Sequence, residues 1–453
     1  MTYNEVLTAA RGQMGPCKAC PVCDGRACRN TVPGPGAKGV GDVAIRNYSA
    51  WQNVRVNMDT ICESGEPDTT LEMFGHSYRI PVFAGPVGAM QLHYGTKYTD
   101  LEYNDILVPA CHDAGILAFT GDGTNPAVMV GACKAVKANA GFGIPTVKPW
   151  DAGTIAEKMA LVRATGAFAV AMDIDAAGLP FLKNLNPPAG SKTVEELRGI
   201  IADAKVPFII KGVMTARGAQ KAVEAGASAI VISNHGGRVL DQGPATAEVL
   251  PEIAEAVNGR CKILVDGGIR TGVDVFKALA LGADAVLIAR PFVNAIYGAG
   301  AQGVQVYVDK LAGELAVDGV VDDDVDDRTA VVDDGVELGF HLLRRVLHGD
   351  TAEDAARLLR RHIAARSGEN FLARGAQQRD IAHDDLARDG EFFRQRGGAD
   401  RRIRRAQHVG NGLSPLVRMH SLFLPFSRKS AKFRLLFVLS KSEITVRCRI
   451  LPI

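Results

Sequence analysis

Several features are scarce in this chain of 453 residues, and each absence excludes something. No stretch of about 18 consecutive apolar residues occurs, so no helical membrane span is expected. Net charge is small, 52 basic against 50 acidic residues for a total of +2, which argues against a whole-chain polyelectrolyte for nucleic acid. The opening MTYNEVLTAARGQMGPCKAC lacks a basic start followed by an apolar core, so no secretory leader is expected. The nine cysteines form an odd, scattered set. That excludes a disulfide framework and predicts a reducing, cytoplasmic location. With 47% apolar and 23% charged residues, whole-chain disorder and a collagen-like repeat are also excluded.

The small total conceals an uneven distribution. Residues 1–316 hold 13 Arg and 15 Lys against 30 acids; residues 317–453 hold 21 Arg and only 3 Lys against 20 acids. From Arg401 onward there are 12 basic side chains and one acid, Glu443. This shift predicts three pieces: an extension over 1–81 with a cysteine cluster, a core domain over 82–316, and an Arg-rich tail over 317–453. The run RRIRR is an anionic-surface candidate, but it lacks interleaved aromatics or a nucleic-acid motif. A solvated, poorly ordered extension without nucleic-acid function is the expectation.

What the core has is repetition. Short apolar, β-rich runs begin at Val82, Ile116, Gly143, Phe168, Phe208, Ala229, Ile263 and Ala285. Between them lie segments such as TVEELRGIIADA and GVDVFKALALGA, with apolar residues at helical spacing and glycine near their ends. Alternating strand and helix predicts a parallel sheet, and near-continuous apolar strands predict burial on both faces. Eight such units predict an α/β fold, a (β/α)8 TIM barrel, completed by the helix AQGVQVYVDKLAGELA.

In such a barrel the chemistry gathers at the carboxyl ends of the strands. In order, those ends carry Asp173 and Asp175; Lys211; Ser233, His235 and Arg238; Asp266 and Arg270; then Arg290. Five consecutive strands delivering titratable groups to one rim point to a site rather than to five separate structural roles. DGGIRTG brings backbone N–H groups and Arg270 to a helix start, and Arg290 adds a second guanidinium one strand later. Together they predict a phosphate-bearing ligand.

SNHGGRVLD followed by DGGIRTGVDVFKALALGADAVLIARPF closely resembles the FMN-dependent 2-hydroxy-acid oxidases and dehydrogenases, such as glycolate and L-lactate oxidases. The resemblance is strongest from Lys211 to Phe292, weaker from Val82, and absent beyond Ala316. It implies oxidation of a small L-2-hydroxy acid such as lactate or glycolate, with His235 as base, Asp175 orienting it and Arg238 binding the substrate carboxylate. It further implies FMN held by Lys211, Ser233, Asp266, Gly267, Gly268, Arg270, Ala289 and Arg290. The turn Gly85-Pro86-Val87-Gly88 would pack on the isoalloxazine. Barrels of this family are often homo-oligomers, and the electron acceptor is either dioxygen or a redox protein.

The chain also departs from that pattern. GIPTVKP offers Thr146 where the family has a tyrosine, VPGPGAKGVGD carries no second one, and Asp173 stands for a threonine. The second substrate arginine is missing after the fourth strand, leaving Lys183 as that loop's only cation. Cys17, Cys20, Cys23 and Cys28, spaced C-x2-C-x2-C-x4-C, are an addition. They are either a zinc or iron–sulfur ligand set, passing electrons from flavin to a protein, or a loop of free thiols. Cys62, Cys111, Cys133, Cys261 and Cys448 read as incidental or core.

Two other functions stay open: a flavin-using isomerase of the type 2 isopentenyl-diphosphate kind, and a flavin-binding electron-relay module without turnover. The isomerase needs more diphosphate-binding cations than Arg238 and Lys183 supply. For the tail the alternatives are a frameshifted translation from about residue 317 or a fused domain in which HLLRRVLHGDTAEDAARLLRRHIAARS forms an amphipathic helix.

Overall fold

The computed structural model describes residues 1–56, 67–185 and 189–316, together with three strands beyond residue 418. Eight parallel strands close a barrel. They are β1 Val82–Ala84, β2 Leu117–Thr120, β3 Ile144–Val147, β4 Val170–Asp173, β5 Phe208–Val213, β6 Ala229–Ile232, β7 Lys262–Asp266 and β8 Ala285–Ile288. The eighth strand pairs back onto the first, Val286 beside Val82. Each strand lies within a residue or two of its expected position, because both its faces are buried and its apolar run is therefore unbroken.

Side chains alternate between the barrel interior and the surrounding helices. Phe119, Ile144, Ala171, Ile209, Val231 and Leu264 share one buried interior cluster. Two residues further along the last five of these strands come Thr146, Asp173, Lys211, Ser233 and Asp266. The same period that fills the core therefore ends in a polar layer at the carboxyl rim.

An antiparallel hairpin, Leu71–Met73 with His76–Tyr78, adds Met73 and Tyr78 to the interior cluster. It lies beside Phe142 and Phe168, which precede β3 and β4, so it closes the amino end of the barrel. Nothing in the sequence pattern marks it.

The described residues before Val82 belong to the same compact unit as the barrel. Helix Tyr3–Ala10 carries a capping box at Thr2 and stacks Tyr3 on Tyr307 of the last helix, ring centroids 4.5 Å apart. Helix Asp42–Asn53 lies against the carboxyl rim. Its Trp51 is fully buried and donates to the Gly267 carbonyl at 2.8 Å, while Asn47 and Asn234 exchange amide hydrogen bonds of 2.7 and 2.8 Å.

The last barrel helix, Arg290–Leu315, ends where the composition changes. In the second unit the described residues form an antiparallel sheet of Met419–Leu422, Lys432–Leu439 and Ile444–Leu451, none of which the sequence reading expects. RRIRR, the proposed amphipathic helix of the tail and Cys62 lie outside the described residues. No helix among the described residues is long and apolar enough to cross a membrane.

Candidate active site

One connected network occupies the rim. The Lys211 ammonium donates to Ser233 Oγ at 2.9 Å and Asp173 Oδ1 at 3.3 Å, and lies 3.5 Å from Asp266. The Ser233 hydroxyl in turn donates a hydrogen bond to Asp266 Oδ2 at 2.9 Å. Burial works against the Lys211 charge, but Asp173, Asp266 and Asp175 outweigh it and its pKa is raised. Asp173 behaves conversely: burial opposes its charge, yet His235, Lys211 and Lys148 hold its carboxyl well below the usual range. Burial and the Asp173 charge push Asp175 up. Of this adjacent pair, Asp173 is the one whose charged form the neighbouring cations favour.

His235 Nδ1 lies 3.3 Å from Asp175 and 3.5 Å from Asp173. Its backbone has φ +55°, a left-handed conformation that costs a non-glycine residue of order 1 kcal/mol or more. Local hydrogen bonds hold it there: the His235 N–H donates to Ser233 Oγ at 3.2 Å and the Gly236 N–H to Asn234 Oδ1 at 3.1 Å. Asp175 lies against the neighbouring strand where its pairing register shifts between Lys211 and Val213. A Cβ on the intervening Gly212 would stand 2.6 Å from the Asp175 carboxylate.

Arg238 Nη1 donates to the carbonyls of Gly34 and Gly36, the loop in which a tyrosine is missing. That loop is tied down further by Lys38 N–H to the Gly237 carbonyl and by Val40 and Val43 N–H to Asp241. Among the described residues, no other Arg238 donor has a protein partner in hydrogen-bond range.

Arg270 and Arg290 converge as expected, but on an unexpected neighbour. Arg270 donates from Nε to the Cys23 carbonyl at 2.9 Å and from Nη2 to Cys23 Sγ at 3.7 Å. Burial would raise the Cys23 thiol, yet Arg270 and Arg290 outweigh it and hold it below its usual value. Cys17, which lacks a direct cation contact, is pushed up to about 11 by burial.

Several residues of the site carried no assigned role in the sequence reading. Lys148 donates to Asp173 Oδ2 at 3.2 Å; its signal was the two-residue step from Thr146 on β3. Its backbone N–H is fixed at 3.0 Å by buried Asp122, which also bonds Trp150 at 2.6 Å and Lys158 at 2.7 Å. His93, on helix Met90–Tyr94, has a buried Nδ1 without a hydrogen-bond partner. Burial, aided by Arg238, Lys148 and His235, lowers its pKa to about 3. Nothing in its local sequence signalled this. Lys183 is exposed. Cys111 and Cys133 are buried, and Cys261 is half-buried.

A family model described as FMN-dependent dehydrogenase matches residues 35–184 and 183–318. The chain belongs to this family. A 4-hydroxymandelate oxidase of Amycolatopsis orientalis is 32% identical over 342 residues, covering 64% of this chain and 90% of that protein. A peroxisomal (S)-2-hydroxyacid oxidase of Arabidopsis thaliana is 49% identical over 126 residues. That match spans 28% of this chain and only 34% of the relative's length. A crystal structure of mandelate oxidase superposes with a TM-score of 0.56 at 25% identity, covering 70% of this chain and 92% of that one.

The rim fits the family's cofactor. Thr146 Oγ1 is buried without a partner on the interior face, suited to a ring polar atom of a flavin. Buried Lys211 and the Arg270–Arg290 pair supply cations for an anionic ring edge and a phosphate.

Proposed function

We propose that the chain oxidises a small L-2-hydroxy acid to the 2-oxo acid with bound FMN. The observation that carries this reading is His235 Nδ1 held against Asp175 and Asp173, in a network continuous with Lys211. FMN would be held by Lys211, Ser233, Asp266, Gly267, Gly268, Arg270, Ala289 and Arg290, with Pro86, Val87 and Gly88 against its ring. When bound, it supplies the acceptor for the two electrons and the hydrogen leaving C2.

The chain's own residues do the rest. With Nδ1 facing carboxylates, the lone pair of Nε2 is available to take the hydroxyl proton of the substrate. The charge of Asp173 then stabilises the imidazolium, as the aspartate of a catalytic triad does. Arg238, anchored through Nη1, presents its remaining donors to the substrate carboxylate in two-point fashion. Lys148, two residues beyond Thr146 and bonded to Asp173, adds a second cation. Lys211 is a fixed cation where reduction would accumulate negative charge.

The test is anaerobic titration of the purified yellow protein with L-lactate, glycolate and L-mandelate. Bleaching of the flavin spectrum by one of them is expected. Bound flavin that no 2-hydroxy acid bleaches would overturn the proposal and return the isomerase and relay readings.

A further inference from the structure

The loop that follows helix Tyr3–Ala10 lies before residue 35, outside the segment shared with the family. Its four cysteines are free thiols, and all of them line one cavity together with Arg290 and Asn294. Cys17 Sγ reaches Asn294 Oδ1 at 3.7 Å and Cys28 Sγ the Gly25 carbonyl at 3.9 Å, both weak contacts, and Arg290 lies against Cys28. Four free thiols gathered from 12 residues onto one cavity, two of them facing guanidiniums that favour the thiolate, form a ligand set.

Spacing separates the two metal chemistries. A single zinc bound by four thiolates at about 2.3 Å draws their sulfurs to roughly 3.8 Å from one another. Among the described residues, only Asp173, Asp175 and His235 bring three ligand atoms within 4.8 Å. The cysteines surround their cavity more widely than one ion allows, whereas a cube of iron and sulfide spreads its thiolates apart. The C-x2-C-x2-C run is the spacing that gives three thiolates to a four-iron cluster, and Cys28, lining the same cavity, supplies the fourth. Arg270 donates an N–H to Cys23 Sγ, the kind of contact that tunes such a cluster.

We propose that Cys17, Cys20, Cys23 and Cys28 hold a four-iron, four-sulfide cluster beside the arginine pair of the flavin site. The cluster site stands on its own geometry; its role rests on the oxidation proposed above. Two electrons leave the hydroxy acid in each turnover. They exit through the cluster one at a time to two molecules of an external one-electron redox protein of higher potential, each reduced once, and the two protons go to solvent.

The full chain is reconstituted anaerobically with ferrous iron and sulfide, then assayed for iron, acid-labile sulfide and zinc, and for an electron-spin signal after dithionite. About four irons and four sulfides per chain are expected. Cys20→Ala should lose both iron and the spin signal, while Cys261→Ala keeps them; unchanged flavin absorbance and circular dichroism show that each variant is folded. Stoichiometric zinc without sulfide, no bound metal, or unaltered iron in folded Cys20→Ala would each overturn the site. A dithionite signal that 2-hydroxy acid fails to produce, in protein whose flavin that acid bleaches, overturns the relay role alone. Flavin that does not bleach overturns the oxidation reading and leaves the cluster standing.

Discussion

His235 spends backbone strain to place an imidazole between two carboxylates and an open rim. Replacing it with alanine should leave flavin bound and slow substrate bleaching about 100- to 10,000-fold, measured by anaerobic stopped flow. Arg238 acts through a fork, one prong of which the Gly34 and Gly36 carbonyls already occupy. Arg238→Lys keeps the charge but not the fork, so KM should rise roughly tenfold or more with the flavin spectrum unchanged. His93 makes a prediction in pH. Its pKa is about 3 when folded, against about 6.5 for an ordinary histidine. Between those values the unfolded chain binds the extra proton, so stability falls as pH drops through that window. His93→Gln should therefore lose less stability than the parent between pH 7 and pH 4, read as urea midpoints.

The elements explain why these residues stay in place. Helix Asp42–Asn53 presses on the rim through Trp51 and Asn47, contacting the Gly267 carbonyl and Asn234, on loops that carry the proposed phosphate and base residues. Trp51→Ala removes a fully buried indole and should cost about 3–5 kcal/mol in urea unfolding. Under β3, Lys158 and Trp150 neutralise and bond Asp122, which sets the start of the Lys148 turn. Lys158→Met would leave that carboxylate buried beside neutral donors only, at a cost of about 3–5 kcal/mol. The strands were readable from sequence because two-sided burial writes an unbroken apolar run. The hairpin at the amino end was not, since strands of three residues carry too few alternations to register, and Met73 and Tyr78 become core only through contact with Phe83 and its neighbours.

At the scale of the whole molecule, the family match ends at residue 318 and the first compact unit at Ala330. A chain terminated after Ala330 should bind flavin and melt within a few degrees of the full-length protein, followed by flavin fluorescence. The frameshift proposal for the remainder has its own check: a family-like continuation in another frame of the coding DNA beyond codon 317 supports it, and its absence there refutes it.

Local chemistry determined the eight strands, the glycine-bearing turns and the succession of charged strand ends from Asp173 to Arg290, because each depends on spacing along the chain. Closure of the barrel decided the rest. It joined Lys148 to Asp173, surrounded His93 with Arg238, Lys148 and His235, and set the amino-terminal thiols against Arg270 and Arg290. Cys23 and Arg270 are 247 positions apart, and no periodicity reaches that far; only packing brings a thiol and a guanidinium together across such a distance.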